Sequence, residues 1–271
     1  AARAFGWTRE EAEAATAENL ARLSELQYKM FADGRFAMLV VLQAIDGGGK
    51  DSTIRRVFSA FNPQGCTVTA FKAPTAEELG HDFLWRIHQH TPRHGEVAVF
   101  NRSHYEDVLV VRVHDLVPKA IWKERFDHIN GFEELLAEHG TILLKFFLHI
   151  SKKEQEKRLV EREKDPSTAW KLNVNDWKER ERWGDYTEAY EDAMERCSTR
   201  FAPWHVVPAD AKWYRNLVIA EAVVEAMRPH EKAWIEKLDA EGSLFKVSTK
   251  DAACVATGFA LLTDILAIPG V

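Results

Sequence analysis

The sequence predicts an α/β fold, a parallel sheet of five strands flanked by helices. Three observations predict it. Short apolar runs alternate with helix-period segments along most of the chain, the order expected of a wound sheet. The run Phe36-Ala-Met-Leu-Val-Val-Leu-Gln43 is apolar without alternation, as in a strand covered on both faces. A glycine-rich turn and a helix-forming segment follow it directly.

Taken in order, residues 10–31 form a helical arm, with Leu20, Leu23, Leu26 and Met30 on one stripe. The first strand is 36–43. A helix from 50 to 61 ends at Asn62-Pro63-Gln64-Gly65. The second strand is 67–71. A helix over 75–90 opens on a capping box, Thr75 with Glu78. Strand three is 96–100, a helix covers 119–139, and strand four is 141–149. Ser151 caps a charged helix running to Lys164, which Asp165-Pro166 ends. From Trp170 to Arg200 the apolar residues are too sparse for a second core, so a helical hairpin over the main body is expected. Strand five is 204–207, and a closing helix spans 212–227. After Pro229 the pattern weakens, and the apolar end, 258–271, is too short to span a membrane. The expected organisation is one domain: an arm (10–35), a core (36–150 and 201–228), a helical insertion (151–200) and a tail (229–271).

The 36 basic and 42 acidic residues give a net charge of −6, which argues against a nucleic-acid partner. A polyanionic substrate would have to be held by local clusters of cations. With no apolar stretch of about 18 residues, no membrane span is expected. Residues 1–10 show no secretory signal. Cys66, Cys197 and Cys254 are scattered and odd in number, which fits inert thiols in a reducing cytoplasm rather than a disulfide framework or zinc site. His81, His88, His90, His94 and His104 form no metal-ligand spacing.

The decisive segment is Ala44-Ile45-Asp46-Gly47-Gly48-Gly49-Lys50-Asp51-Ser52-Thr53, between strand and helix. Glycines let successive N–H groups converge on phosphate oxygens. The helix beginning at Lys50 directs its positive end to the same place. Compared with G-x-x-x-x-G-K-[ST], Ala44 stands at the first glycine and Asp51 at the metal-binding hydroxyl. Ser52 or Thr53 could supply that hydroxyl, and Asp46 is the stronger metal candidate. After the third strand comes Phe100-Asn101-Arg102-Ser103-His104-Tyr105-Glu106-Asp107, a position that faces the loop in open α/β sheets. Arg102 offers a planar fork for phosphate, and Glu106 or Asp107 offers oxygen to Mg²⁺. Lys72 and Arg112, after strands two and three, are further candidates to line a channel.

Four runs together resemble the polyphosphate kinase 2 family: Asp46-x-x-Gly49-Lys50, Asn62-Pro63-x-Gly65, Phe100-Asn-Arg-Ser-x-Tyr105-Glu-Asp107 and Asp165-Pro166-x-x-x-Trp170-Lys171. Tyr105-Glu106-Asp107 is similar to the class III branch, associated with both nucleoside mono- and diphosphates. The resemblance implies a three-layer P-loop kinase fold with a helical lid, a homo-oligomer, and phosphoryl transfer between inorganic polyphosphate and nucleotides with Mg²⁺, for which Mn²⁺ could substitute. It also implies catalytic roles for Asp46 and Lys50 at the loop, and for Arg102 on the transferring phosphates. Many family members carry Asp where this chain has Asn101, so the metal role there would fall to Glu106.

On the charged helix, Lys157, Arg158, Arg162 and Lys164 mix with glutamates, usually the mark of a solvated face. Arg158 and Arg162 are four apart and share a face. As lid arginines they would close and neutralise charge on the transferring group. Asp210, Lys212 and Arg215 resemble a late family motif and are expected near the nucleotide, with helix capping by Asp210 as the plainer reading. The rivals to polyphosphate transfer are an ATP-dependent nucleoside or nucleotide kinase and a non-catalytic polyphosphate or nucleotide sensor.

Overall fold

The structure is a computed structural model, and it describes residues 5–164 and 174–248. The chain divides into two compact units, 1–229 and 230–271. In the first unit, β1 (Ala37–Gln43), β2 (Cys66–Ala70), β3 (Val97–Asn101), β4 (Thr141–His149) and β5 (Trp204–Pro208) form a sheet of order β2-β3-β1-β4-β5. Its neighbouring strands all run parallel, with Val40 opposite Val99 on one side and Leu144 on the other. β1 is buried at every position, which is why its sequence is apolar throughout.

Because the strands are parallel, their carboxyl ends share one edge. From β1 the chain moves to β2 and β3 on one side and later to β4 and β5 on the other. That reversal opens a crevice beyond the end of β1. The crossover elements are α2 (Lys50–Val57), α3 (Ala76–Leu79), α4 (Trp85–His88), α5 (Val110–Val113), α6 (Lys119–Glu138), α7 (Lys152–Lys164), α8 (Val174–Glu181) and α9 (Trp183–Cys197). The N-terminal arm is α1 (Arg9–Asp33), opened by a Thr8–Glu11 capping box and closed at Gly34 in the left-handed conformation.

Three expectations need correction. Residues 75–90 make two short turns rather than one helix. The Thr75–Glu78 box forms, but the first turn ends at Gly80. Asp82 Oδ1 then accepts from the N–H groups of Leu84 and Trp85, a side-chain alternative to the helical ladder. The hairpin does not merely lie over the core: α9 buries Ala189, Tyr190, Ala193 and Cys197 in the cluster that holds Leu39, Phe100 and Phe147. The closing helix, α10 (Lys212–Ser248), runs through Pro229 instead of stopping at Met227. Proline removes one N–H, and the helix is continuous despite that loss. Within the second unit, the rings of His230 and Trp234, one helical turn apart, stack. The Asp165–Lys171 motif, Cys254 and the apolar end lie outside the described residues.

One polar cluster sits inside the core. Lys145 on β4 donates to Glu133 Oε2 on α6 at 2.5 Å, to Tyr105 Oη at 2.8 Å and to the Cys197 carbonyl at 2.6 Å. Tyr105 Oη donates to Glu133 Oε1 at 2.9 Å. Lys145, Tyr105 and Glu133 are completely buried. The cluster ties the segment after β3 to α6, β4 and α9 by charge-assisted bonds in a low-dielectric setting. Cys66 and Cys197 are free thiols, and burial pushes their pKa values up to about 11 and about 12, which keeps them protonated and inert. Among the described residues, no helix is long and apolar enough to cross a membrane.

Candidate active site

The glycine-rich segment is a turn from β1 into α2. Gly49, the residue before α2, has φ +102°, and a Cβ there would lie 2.2 Å from Arg215 Nη1. Both the backbone and the space therefore require glycine. At Gly48 a Cβ would meet the Ala44 Cβ at 2.4 Å and the Ile45 carbonyl at 2.9 Å. Ala44 is tolerated at its position because residue 48 has no side chain. Lys50 Nζ donates to the Ala44 carbonyl at 2.8 Å, folded along the loop's inner edge. Burial lowers its pKa, opposed first by the charge of Asp46.

Opposite the loop, β3 ends at Asn101, and Arg102 takes a left-handed conformation with φ +63°. Such a φ is uncommon for a side-chain-bearing residue and concentrates at functional sites. Here Arg102 N–H bonds the Leu42 carbonyl at 3.1 Å, while Nη2 donates to Asp46 Oδ1 at 3.0 Å. Asn101 Nδ2 donates to Asp51 Oδ1 at 2.8 Å. Glu106 has its pKa raised by burial, against the pull of Arg102 and Lys50, and the charge of Asp46 raises it further. Asp46 and Glu106 are thus two carboxylates close enough to repel.

These residues line a cleft of about 1080 Å³. Its lining includes the cations Lys50, Arg55, Lys72, Arg102, Arg158, Arg162 and Lys212, and also Leu109, Val110, Tyr186 and Tyr190 together with His114 and Glu179. Glu179 Oε2 accepts from Tyr186 Oη at 2.7 Å and lies 2.9 Å from His114 Nε2. Such a cleft can hold a chain of phosphates beside a flatter, less polar group.

The family model described as Polyphosphate kinase 2 (PPK2) matches residues 7–234. The chain belongs to the polyphosphate kinase 2 family. An AMP/ADP-polyphosphate phosphotransferase of Meiothermus ruber is 53% identical over 206 residues, covering 76% of this chain and 77% of that protein. An ADP-polyphosphate phosphotransferase of Rhodopseudomonas palustris is 43% identical over 227 residues, covering 79% and 78%. The solved structure of Polyphosphate Kinase 2 from Arthrobacter aurescens superposes with a TM-score of 0.81 at 46% identity, covering 82% of this chain and 80% of that one.

Within this polyphosphate kinase 2 chain, the cleft gathers most of the residues expected to work together: Asp46, the three loop glycines, Lys50, Asp51, Ser52, Lys72, Arg102, Glu106, Arg158, Arg162 and Lys212. Arg112, Thr53, Asp210 and Arg215 stand elsewhere, and Arg158 is engaged differently from expectation. Arg112 is turned away from the cleft, paired with Asp192 and Glu188 on α9 and lying 4.8 Å over the Trp122 ring. Thr53 is fully buried and spends its hydroxyl on the Gly49 carbonyl at 3.1 Å. Ser52 makes the same bond at 2.9 Å. Asp210 accepts from the N–H of Ser151 at 2.8 Å, the residue whose hydroxyl caps α7 by accepting from the Glu154 N–H at 3.1 Å.

Arg158 does not stand free as a lid cation. Its guanidinium donates to the carbonyls of Gly47 at 3.0 Å, Gly48 at 3.2 Å, Ala209 and Asp210, and pairs with Glu154 at 2.8 Å. It lines the cleft but is taken up in bracing the loop. Arg162 lines the same cleft and pairs with Asp176 at 2.9 Å. Arg215 is buried behind Gly49 and does not reach the cleft surface. Of the two acidic candidates, Asp107 bonds Arg125 at 2.7 Å, whereas Glu106 lines the cleft.

Sequence reasoning missed Gln155, whose Nε2 holds the Asp46 carbonyl at 2.7 Å, and Tyr186 and Tyr190 in the cleft lining. One signal was legible for Gln43, which closes an otherwise apolar buried strand. Its Nε2 donates to Ser103 Oγ at 3.2 Å, and Tyr190 Oη donates to its Oε1 at 3.4 Å. A polar residue at the carboxyl end of such a strand marks the site edge.

Proposed function

We propose that this protein transfers a phosphoryl group between inorganic polyphosphate and nucleoside mono- and diphosphates. The observation that carries the reading is the cleft itself. A phosphate-cradling loop, seven Lys and Arg side chains and two tyrosines line one space. A polyphosphate chain is a run of like charges, and a run of fixed cations in a partly enclosed crevice suits it better than a single anion site. The overall charge of −6 makes this local concentration the source of attraction.

The transfer requires little covalent chemistry of the protein; positioning and charge neutralisation supply most of the acceleration. The amides of residues 47–50 and the amino end of α2 bind one phosphate. Lys50 supplies a point charge and Arg102 a planar fork, its direction fixed by the left-handed backbone and by Asp46. The accepting phosphate oxygen is already ionised near neutral pH, so no strong general base is needed. Arg162, on α7 beside residues 165–173, serves as the lid arginine that neutralises the transferring group. Lys72, Arg55 and Lys212 extend the track for the chain.

Asp46 and Glu106 fit a divalent cation: both carboxylates line the cleft, and phosphate oxygens and water would complete the shell, as Mg²⁺ prefers. Mg²⁺ is the proposed metal, with Mn²⁺ able to substitute. Held there, it would offset the negative charge that develops on the transferring group. Cytoplasmic location and a homo-oligomeric state belong to the same proposal.

The test is incubation with ADP and long-chain polyphosphate, with ATP absent. ATP should form with loss of polyphosphate. Formation only when ATP is supplied as donor to another nucleotide would favour an ATP-dependent kinase. Tight polyphosphate binding with an unchanged phosphorus NMR spectrum over hours would mark a sensor.

A further inference from the structure

Behind the phosphate loop lies a buried cation that the reaction as described does not use. Arg215, in the first turn of α10, is 1% exposed. Its Nε and Nη2 donate to Asn216 Oδ1, at 3.2 and 2.8 Å. Its Nη1 is buried without a hydrogen-bond partner and abuts Gly49, 2.2 Å from where a Cβ would stand. Among the described residues it has no carboxylate partner. Burial, and after it the like charge of Arg158, lowers its pKa to about 10, still far above neutral. Arg158 itself meets the loop carbonyls of Gly47 and Gly48. A buried guanidinium with a donor unsatisfied and no counter-charge is destabilising, and such an exception calls for a cause.

We propose that Arg215 is a positioning residue of the phosphate site, holding an uncompensated positive charge directly beneath Gly49 that is balanced only when a phosphate chain occupies the loop. It does not touch the ligand. It acts through the glycine, where the absence of a side chain lets the charge approach the cradle from behind, through low-dielectric protein rather than water. The same charge is a liability when the cleft is empty and an attraction when it is filled, so it converts fold stability into anion affinity. The inference rests on the reading of the loop as a phosphate cradle.

The experiment compares wild type, Arg215→Met, Arg215→Gln and Arg215→Lys, each as the full chain. Binding of inorganic tripolyphosphate is measured by calorimetry, and melting temperature is measured with and without it. The expected result for Arg215→Met is a melting temperature raised by about 2 °C or more without anion, because an apolar side chain replaces an unpaired buried charge. Its tripolyphosphate Kd is weakened about tenfold, equal to ~1.4 kcal/mol. Arg215→Lys should regain most of the affinity, and KM for polyphosphate should rise more than kcat falls in Arg215→Met. If methionine does not fold, glutamine, which keeps a donor near Asn216, gives the same comparison. A melting temperature lowered without anion in both neutral variants, with tripolyphosphate affinity unchanged, would overturn the proposal and leave Arg215 a structural prop. Weakened affinity that lysine does not restore would overturn it as well. Wild type that binds tripolyphosphate but forms no ATP from ADP and polyphosphate would refute the transfer reading alone.

Discussion

Replacing Arg158 with alanine separates two roles that the sequence cannot distinguish. A lid arginine is exposed in the open enzyme and acts in the transition state, so its loss lowers kcat by orders of magnitude and leaves the melting temperature unchanged. In the structure Arg158 is 7% exposed and its guanidinium holds four backbone carbonyls, two in the loop and two after β5. Each charge-assisted bond is nominally worth about 1.5–3 kcal/mol, but the bonds share one group and water will reach some of the freed carbonyls. The loss is better set at about 3–5 kcal/mol, the range for breaking a buried ionic contact, since Glu154 is left without its arginine. At about 2–4 °C per kcal/mol, the melting temperature should fall by roughly 6–20 °C. Circular dichroism melts of wild type, Arg158→Ala and Arg158→Lys provide the assay, with lysine recovering a minor part because it cannot span four acceptors. Activity should fall in the alanine variant through a loosened loop, with tripolyphosphate binding weakened in parallel. An unchanged melting temperature with kcat lost would refute the brace and restore the lid role.

Other substitutions have sharper signatures. Lys50→Ala and Asp46→Ala should each lower polyphosphate-to-ADP transfer by about 10²-fold or more with a native circular dichroism spectrum; near-normal turnover would show the site to be misplaced. Gly49→Ala should abolish tripolyphosphate binding in calorimetry, since φ +102° and the Arg215 contact both exclude a methyl group. Lys145→Met should destabilise the fold by about 3–5 kcal/mol in urea unfolding, because it leaves Glu133 charged in the core; a loss under about 1 kcal/mol would mean that the cluster is hydrated or neutral. Chelation by EDTA should halt transfer, and Mg²⁺ should restore it.

The strands were legible because burial on both faces writes itself as unbroken apolar sequence: the segments 36–43 and 141–149 need no partner to be recognised. The phosphate loop was legible for a similar reason, since glycine spacing and the strand-to-helix order are local. Residues whose task depends on what lies across the fold were not. Arg158 and Arg162 have the same chemistry, the same helix face and the same cleft, yet one is held by the carbonyls of residues 47, 48, 209 and 210 while the other pairs with Asp176. Arg112 follows a strand that ends at the site, but the helical turn of α5 points it to α9 and Trp122. Helix 75–90 failed on a local competitor, the Asp82 side chain, that period counting does not weigh.

The two departures from the usual phosphate-loop pattern gain sense as contacts rather than as positions in a string. Ala44 adds a methyl group where glycine is common, and the space it takes lies 2.4 Å from the missing Cβ of Gly48; the loop keeps its shape because the second residue gives up what the first has gained. Asp51 adds a carboxylate where a hydroxyl is common, and Asn101 meets it with an amide donor at 2.8 Å. An aspartate at 101 would set two carboxylates against one another across the mouth of an anion site, where added negative charge opposes the ligand. The asparagine therefore reads as the partner that makes Asp51 tolerable. Asn101 and Asp51 should consequently respond to substitution as a pair: the combined change restoring an acidic residue at 101 and a hydroxyl at 51 should be less harmful than either change alone.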